Sequence, residues 1–302
     1  MELAGFDYLF DPNKRLFYGY LFSSFLIAAV YLHFNQNQKR LILSPKLWLH
    51  PSAVLDYTYF VVNLAIKIFL IFPIVLSAKS ITIFIYEQAT YYFGLSSLHF
   101  SYIQVMVLYT VCIFLVSDFT RYWLHRFLHT IAFLWEFHKV HHSAKVLTPF
   151  TFYRVHPLEN ILFGFRYSLS IGVVTGVFFY LFGAVLDFYS ILGVNIFVFV
   201  FNVLGSNLRH SHVKITYFAP LEKLFMSPYM HQIHHSTQHL NKNYGGYLSL
   251  WDNWFGSLAL SKDVKIKRFG LRKEQMNDYT SIGKMIFVPF INLIKRKRSV
   301  VS

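Results

Sequence analysis

The stretch that decides how this chain folds is DFTRYWLHRFLHTIAFLWEFHKVHHS, residues 118–143. It holds a histidine pair spaced i, i+4 and a triplet spaced i, i+3, i+4, and PYMHQIHHS, residues 228–236, repeats the triplet. The histidines are His125 and His129 in the pair, and His138, His141, His142 and His231, His234, His235 in the triplets. Positions i, i+3 and i+4 share one face of a helix, so each triplet is expected to direct three imidazoles towards one point.

Imidazole at this density is typical of a site for Fe, Zn, Cu or Ni. The single cysteine, Cys112, argues against an iron–sulfur cluster or a thiolate zinc site. A mononuclear zinc enzyme needs about three such ligands, whereas one pair and two triplets are better matched to two metals. His210 and His212 stand upstream of the second triplet and could add a ligand. The pattern therefore predicts a dinuclear, histidine-rich centre.

The composition indicates a membrane protein, because the 302 residues are 55% apolar with a mean hydropathy of +0.41. Apolar runs long enough to span the bilayer cover residues 16–34, 58–77, 100–117, 161–182 and 184–204. We expect the first run to stay as an anchor and residues 80–99 to lie in the interface. The last two runs predict a helical hairpin that crosses the membrane and returns, which brings both triplets to the same side.

The net charge of +14 would suggest nucleic acid in a soluble protein. Here the positive-inside rule explains it more simply, and no nucleic-acid partner is expected. Alternation of the spans then places every clustered histidine on the cytoplasmic face. The predicted fold is all-α, a multi-span membrane bundle with a cytoplasmic helical cap that carries the metals. Residues 1–99 are expected to form the anchor, 100–260 the catalytic domain and 261–302 a basic tail.

The third apolar run is expected to continue as one helix to His129, since no proline or glycine interrupts it. Asp118, Tyr122, His125 and His129 then lie along one stripe, at i, i+4, i+7 and i+11. The carboxylate and the phenol are candidates for contacts that orient the imidazoles. Alternatively, Asp118 simply marks the membrane boundary.

These motifs resemble the fatty acid hydroxylase and sterol desaturase superfamily of integral-membrane di-iron oxygenases. The matching stretches are residues 118–129, 135–143, 155–159 (VHPLE) and 228–236, with 243–245 (NYG) and 251–256 (WDNWFG) as a closing segment. The resemblance implies the following iron ligands: His125, His129, His138, His141, His142, His231, His234 and His235. It also implies a ninth, for which His210 matches better than His212, and places His156 near the site, more as support than as a ligand.

The resemblance further implies two iron ions, for which zinc can substitute, and oxidation of an unactivated C–H bond in a membrane lipid by O2. The electrons would come from a separate partner, such as a cytochrome b5-like protein, a ferredoxin with its reductase, or a reduced pterin. Hydroxylation and desaturation both stay open, as do the bacterial inner membrane and the endoplasmic reticulum. The alternative is a zinc-dependent membrane lipid hydrolase, in which Asp118 or Glu159 would act as a general base.

Overall fold

A computed structural model describes residues 7–71, 77–96, 98–183 and 186–301, and the fold is mostly helical, as predicted. The α-helices are α1 (Asp7–Phe10), α2 (Tyr18–Phe34), α3 (Gln36–Ile42), α4 (Pro45–Trp48), α5 (Pro51–Ile66), α6 (Ala78–Phe93), α7 (Tyr102–Thr130), α8 (Ala132–His142), α9 (Pro157–Phe182), α10 (Ile196–Val203), α11 (Ala219–Glu222), α12 (Pro228–His234), α13 (Leu250–Trp254), α14 (Lys273–Met276) and α15 (Ile282–Val301). A π-helical turn, Lys67–Ile71, extends α5, and 3-10 turns cover Pro149–Tyr153, Ser206–His210, Ser261–Asp263 and Asn277–Tyr279. Two short strands, β1 (Ser190–Ile191) and β2 (Val194–Asn195), pair antiparallel.

Three of the described helices are long and apolar enough to cross a membrane: Pro51–Phe69, Tyr102–Thr130 and Pro157–Phe182. They correspond to the second, third and fourth apolar runs, although residues 72–76 of the second run lie outside the described residues. Helix α2 is apolar but has 17 residues, fewer than the other three. The sequence therefore located the longest apolar helices correctly.

The prediction of a spanning helix over residues 184–204 is wrong. Residues 184 and 185 lie outside the described part, and the rest forms the β1–β2 hairpin followed by α10, which has eight residues. Leu192 and Gly193 take positive φ angles of 52° and 74°, as a two-residue hairpin turn requires. Asn195 then caps α10 and donates its side-chain amide to the Thr110 carbonyl of α7. Local turn and capping contacts thus replace the returning helix.

Helix α6, which covers most of the segment expected in the interface, packs lengthwise against the candidate spanning helix α9. A Cβ atom at Gly172 would lie 2.6 Å from Ile81 Cβ, and one at Gly176 would lie 2.7 Å from Ile85 Cβ. Thr82 Oγ1 donates to the Gly172 carbonyl across the same contact. Glycines let two helix backbones approach this closely, so α6 and α9 pack directly against each other.

Helix α7 runs without interruption from a capping box at Ser101 and Gln104 to Thr130, as predicted. It packs antiparallel to α9, and hydrogen bonds join Tyr109 to Thr175 and Thr120 to Ser170. Extended backbone at Ile131 separates α7 from α8. The chain can therefore turn there and bring the first triplet back towards the histidine pair.

The C-terminal segment, expected as a basic tail, packs beneath the histidine-bearing helices. Tyr279 and Met285 share a buried cluster with Tyr59 of α5 and Val140 of α8. In addition, the Ile286 carbonyl accepts a hydrogen bond from His156 Nε2. The described part of this segment therefore contacts the helices that carry the site.

Candidate metal centre

The structure brings all nine predicted histidine ligands together, in two neighbouring groups. The first group contains five residues and the second four, and in each group the potential ligand atoms lie within 4.8 Å of one another. Group 1 consists of His125, His129, His138, His142 and His234, and group 2 of His141, His210, His231 and His235. The two groups touch, because the ring centroids of His142 and His235 lie 4.6 Å apart.

The groups do not follow the triplets, which corrects the expectation that each triplet converges on one point. His138 and His142 face group 1 while His141 faces group 2, and His234 is separated from His231 and His235 in the same way. Successive residues of a helix are rotated by about 100° around its axis. The side chains at positions i+3 and i+4 of each triplet therefore point in directions about 100° apart. Each helix therefore supplies ligands to both groups.

His210, and not His212, is the histidine of residues 210–212 that joins the cluster. His210 Nε2 lies 3.1 Å from His235 Nε2 and 3.2 Å from His231 Nε2. His212 Nε2 instead accepts a hydrogen bond from the Leu147 backbone amide at 3.1 Å. The preference for His210 thus agrees with the geometry.

The nitrogens of group 2 are spaced as ligands of one ion would be. The Nε2 atoms of His210, His231 and His235 form a triangle with sides of 3.1 to 3.2 Å. Two nitrogens bound at about 2.1 Å to one ion at a right angle lie about 3.0 Å apart. Neutral imidazole offers one donor and one acceptor, so three such nitrogens satisfy one another incompletely. A cation among them would satisfy all three.

Several ring nitrogens of group 1 also lack a hydrogen-bond partner in the described part of the chain, a role that a cation could take. Within the described residues, both ring nitrogens of His129 and His142 are buried without a hydrogen-bond partner, as are Nε2 of His138 and His234. A buried polar atom without a partner costs about 1–3 kcal/mol. Because all of these atoms belong to metal-ligating side chains that face one another, the donor set fits a metal ion.

Four of the imidazole rings donate a hydrogen bond through Nδ1, which leaves Nε2 available to bind a metal. His125 donates to the Tyr244 carbonyl at 2.7 Å, and His234 to the Lys242 carbonyl at 2.7 Å. His141 donates to the Arg154 carbonyl at 3.3 Å. The fourth ring is that of His138, which donates to Glu159 Oε1 at 3.0 Å. Such outer contacts fix the tautomer and the ring orientation of metal-binding histidines.

Glu159 is not among the residues that the sequence predicts as supports of the ligands; it enters there only as a possible general base of the alternative hydrolase. The signal that could have found it is its place in VHPLE, in the first turn of a helix that begins at Pro157. His156, the predicted support, caps this helix by accepting from the Leu158 amide, and its Nε2 donates to Ile286. With both nitrogens engaged, His156 stabilises the start of α9 and leaves the carboxylate to contact a ligand ring.

Asp118 and Tyr122 contact no imidazole by a hydrogen bond within the described residues. Asp118 instead accepts from the backbone amides of Tyr247 and Leu248 and from the indole of Trp251. It therefore anchors the loop whose Tyr244 carbonyl holds His125. Tyr122 bonds Ser257 and Arg126 in the same region. Both residues position the ligands indirectly, through the closing segment.

A buried ion pair fixes the C-terminal end of α8. Arg154 NH1 lies 2.7 Å from Asp56 Oδ1, and both side chains are almost fully buried. Arg154 Nε also donates to the Val140 carbonyl and to Ser143 Oγ. The first triplet is thereby attached to α5, a contact that no sequence motif indicated.

Burial keeps the imidazoles in the form that binds metal. Burial lowers the pKa of His138 to about 3. Outside the candidate spans, burial and the neighbouring rings also lower the pKa values of six other clustered histidines well below 6.5; these are His141, His142, His210, His231, His234 and His235. All seven are therefore neutral at pH 7.

A cavity of about 300 Å³ borders both histidine groups. His125 and His138 reach it from group 1, and His141, His210 and His231 from group 2. The aromatic part of its wall includes Phe60, Phe152 and Phe163, and the basic part includes four arginines. A molecule in this cavity would lie beside both candidate metal positions.

The fold and the site define a helical protein with three candidate membrane spans and a histidine-rich candidate metal site. Residues 110–257 match the model of the family described as fatty acid hydroxylase. Residues 110–257, which contain all nine clustered histidines, therefore belong to the fatty acid hydroxylase and sterol desaturase superfamily, as the motifs had suggested. No solved structure matches the chain significantly.

The similar curated proteins act on lipids, as their names state. Alkylglycerol monooxygenase of Danio rerio is 32% identical over 155 residues, which are 51% of this chain and 31% of that protein. Ornithine lipid hydroxylase OlsE of Rhizobium tropici is 30% identical over 145 residues, 47% of this chain and 39% of its own length. Lathosterol oxidase of Mus musculus is 26% identical over 188 residues, 60% of this chain and 56% of its own length. The chain thus matches between about a third and somewhat over half of these relatives' lengths.

Proposed function

We propose that this protein binds two iron ions and uses O2 to oxidise an unactivated C–H bond in a membrane lipid. The observation that carries the proposal is the pair of histidine groups, of five and four residues, that border one cavity. The printed names of the relatives, which include a monooxygenase, a hydroxylase and an oxidase, support the reaction class. For hydroxylation, the lipid, O2, two electrons and two protons give the hydroxylated lipid and water.

Bound iron would supply the oxidising power that amino-acid side chains lack. The chain's own residues hold the ligands and exclude water. Glu159 and the carbonyls of Tyr244, Lys242 and Arg154 keep four imidazoles in the tautomer that presents Nε2. The aromatic wall of the cavity would hold an aliphatic chain against the ligands.

Two further parts of the proposal concern the surroundings of the site. The distribution of basic residues supports a cytoplasmic position for the histidines, in a bacterial inner membrane or the endoplasmic reticulum. A separate protein or a reduced pterin would deliver the electrons. A zinc-dependent hydrolase needs about three histidine ligands, and the other six would then have no role.

The first test is the metal content of gently purified protein, with His141→Ala/His234→Ala and His212→Ala beside the wild type. The double variant removes one ligand from each group, whereas His212 lies outside both groups. We expect about two irons per chain in the wild type and in His212→Ala, and loss of both in the double variant. Because zinc can replace iron during expression, zinc-loaded protein would first be reconstituted with iron.

The second test is incubation of the iron-loaded protein with membrane lipids, a chemical reductant and ¹⁸O2. Label in the lipid product would identify hydroxylation, and an unlabelled product with a new double bond would identify desaturation. Lipid turnover that continues without O2 and without reductant would contradict the proposal and support the hydrolase.

A further inference from the structure

The cavity beside the histidines is strongly basic. Its lining includes Arg15, Lys67, Arg121, Arg166 and Arg209. Among the described residues that line it, Glu159 is the single acidic one, and its Oε1 already accepts from His138. Five positive side chains around about 300 Å³ repel one another, and an anion between them would offset that repulsion.

The arginines have donors that the protein does not use. In the described part of the chain, the guanidinium groups of Arg15 and Arg121 make no hydrogen bond, and none of the four arginines forms an ion pair with a carboxylate. Arg15 lies over the rings of Phe152 and Tyr247, at 5.1 and 5.8 Å from their centroids. A guanidinium group carries five N–H donors in a fork that matches carboxylate and phosphate oxygens.

Arg209 is the most deeply buried of the four. It is 5% exposed, its NH1 donates to the Gly246 carbonyl, and its Nε is buried without a partner in the described residues. Arg166 also has a buried Nε without a described partner, while its NH1 donates to the Ser117 carbonyl at 2.7 Å. Buried donors of this kind are normally satisfied, and here they border a cavity that can admit an acceptor.

The location of two of these arginines is also unusual for a structural role. Arg121 and Arg166 lie within the candidate spanning helices α7 and α9. Charged side chains in such helices are costly and characteristically mark a substrate or ion pathway. No described carboxylate lies within ion-pair distance of either arginine. Asp118 interacts with both at longer range, but it already accepts three hydrogen bonds, from Tyr247, Leu248 and Trp251. The guanidinium groups can therefore still bind an anion in the cavity.

We propose that this cavity binds the oxyanion headgroup of an anionic lipid, such as a phosphate monoester, and that this lipid is the substrate of the oxidation. The arginines hold the headgroup, and the acyl or alkyl chain lies along the wall that Phe60, Leu64 and Phe163 form. The headgroup contacts fix the depth at which the chain passes the histidines, and with it the carbon that is oxidised. The substrate assignment rests on the proposed function, whereas binding of the headgroup does not.

The test compares lysophosphatidic acid with monoacylglycerol, both carrying the same oleoyl chain, on the full chain in a neutral maltoside detergent. Binding is measured on metal-free protein by titration of tryptophan fluorescence. The variants are Arg121→Gln and Arg15→Gln, whose guanidinium groups make no described hydrogen bond, and Arg121→Lys as the conservative change. Arg272→Gln removes one positive charge at an exposed position and serves as the matched control.

We expect wild type and Arg272→Gln to bind lysophosphatidic acid at least about tenfold more tightly than monoacylglycerol. Arg121→Gln and Arg15→Gln should each reduce this ratio about tenfold, and Arg121→Lys should retain much of it. Equal affinity of wild type for the two lipids would overturn the proposal. So would inorganic phosphate that binds as tightly as lysophosphatidic acid, because the site would then serve a free anion.

The same lipids are then compared as substrates of iron-loaded protein supplied with O2 and a chemical reductant. Headgroup binding is measured without metal. If the protein does not select the anionic lipid, an O2-dependent reaction on other lipids is therefore not contradicted. Conversely, a protein that selects the anionic lipid but oxidises nothing would refute the oxygenase function and leave headgroup binding in place. Faster oxidation of the neutral lipid than of the anionic one, under equal occupancy, would overturn the substrate assignment.

Discussion

Glu159 Oε1 lies 3.0 Å from Nδ1 of His138, and both side chains are 2% exposed. The carboxylate lies in the first turn of α9 and the imidazole on α8, so one hydrogen bond connects a candidate spanning helix to group 1. It also directs Nε2 of His138 towards the other ligands of that group. A carboxylate behind a metal-binding imidazole raises the basicity of the ring and fixes its orientation.

Glu159→Ala should therefore lower iron affinity in group 1 by about 10- to 100-fold. The measurement is iron retained per chain against a graded series of chelator concentrations. Glu136→Gln is the matched control, since Glu136 is also a buried carboxylate but bonds Lys139 and Asn292. Equal iron retention in the two variants would remove Glu159 from the metal centre.

The assignment of histidines to the two groups predicts a difference between two double variants. His138→Ala/His234→Ala removes two ligands from group 1, although these histidines come from different triplets. His138→Ala/His141→Ala removes one ligand from each group, although both come from one triplet. We expect about one iron per chain in the first variant and close to none in the second, by elemental analysis. The reverse order would show that each triplet binds its own metal.

Asp118→Asn should loosen the closing segment that holds His125. The carboxylate accepts three hydrogen bonds, from Tyr247, Leu248 and Trp251, and the amide offers only one oxygen for them. Hydrogen bonds to a charged group contribute about 1.5–3 kcal/mol each, so a clear fall in Tm is expected together with partial loss of iron. Asp187→Asn, at an exposed position, is the control and should keep the wild-type Tm and iron content.

The metal-free protein should lose stability as the pH falls below about 6.5. Burial lowers the pKa of His138 to about 3, and the unfolded chain takes up a proton near pH 6.5. Between these values the unfolded state binds more protons, so the free energy of unfolding decreases by about 1.4 kcal/mol per pH unit for each such histidine. Thermal unfolding between pH 7 and 5 measures this. A Tm that is constant over this range would contradict the neutral state of the buried imidazoles.

Gly172→Ala should destabilise the pairing of α6 with α9. The added Cβ would lie 2.6 Å from Ile81 Cβ and 2.8 Å from the Ala78 carbonyl oxygen, and the backbone atom cannot move aside easily. Overpacking of this kind costs about 1–3 kcal/mol. Gly283→Ala is the control, because a Cβ there meets no described atom within 4 Å. Thermal unfolding of the two variants in the same detergent should separate them, and equal Tm values would argue against close helix contact at Gly172.

Much of the candidate site could be predicted from sequence because its information is local. Helical spacing identified the pair, the two triplets and the uninterrupted helix through Asp118 to His129. The remaining support could not be predicted, since Glu159, Arg154 and Asp56 contact the site through residues far apart in the chain. The error at residues 184–204 has a similar cause, because an apolar run resembles a spanning helix until its turn at Leu192 and Gly193 is recognised.

The sequence by itself determined the chemistry: eight histidines at helical spacings and a ninth, His210, indicated by the family resemblance, in a chain apolar enough for a membrane. Only the tertiary structure decided which imidazoles share a metal, since i+3 and i+4 positions diverge by about 100° and meet partners from other helices. It also brought Arg15, Arg121, Arg166 and Arg209 to one cavity from four separate parts of the chain. Ligand type is a property of each residue, whereas convergence on one point depends on how the helices pack.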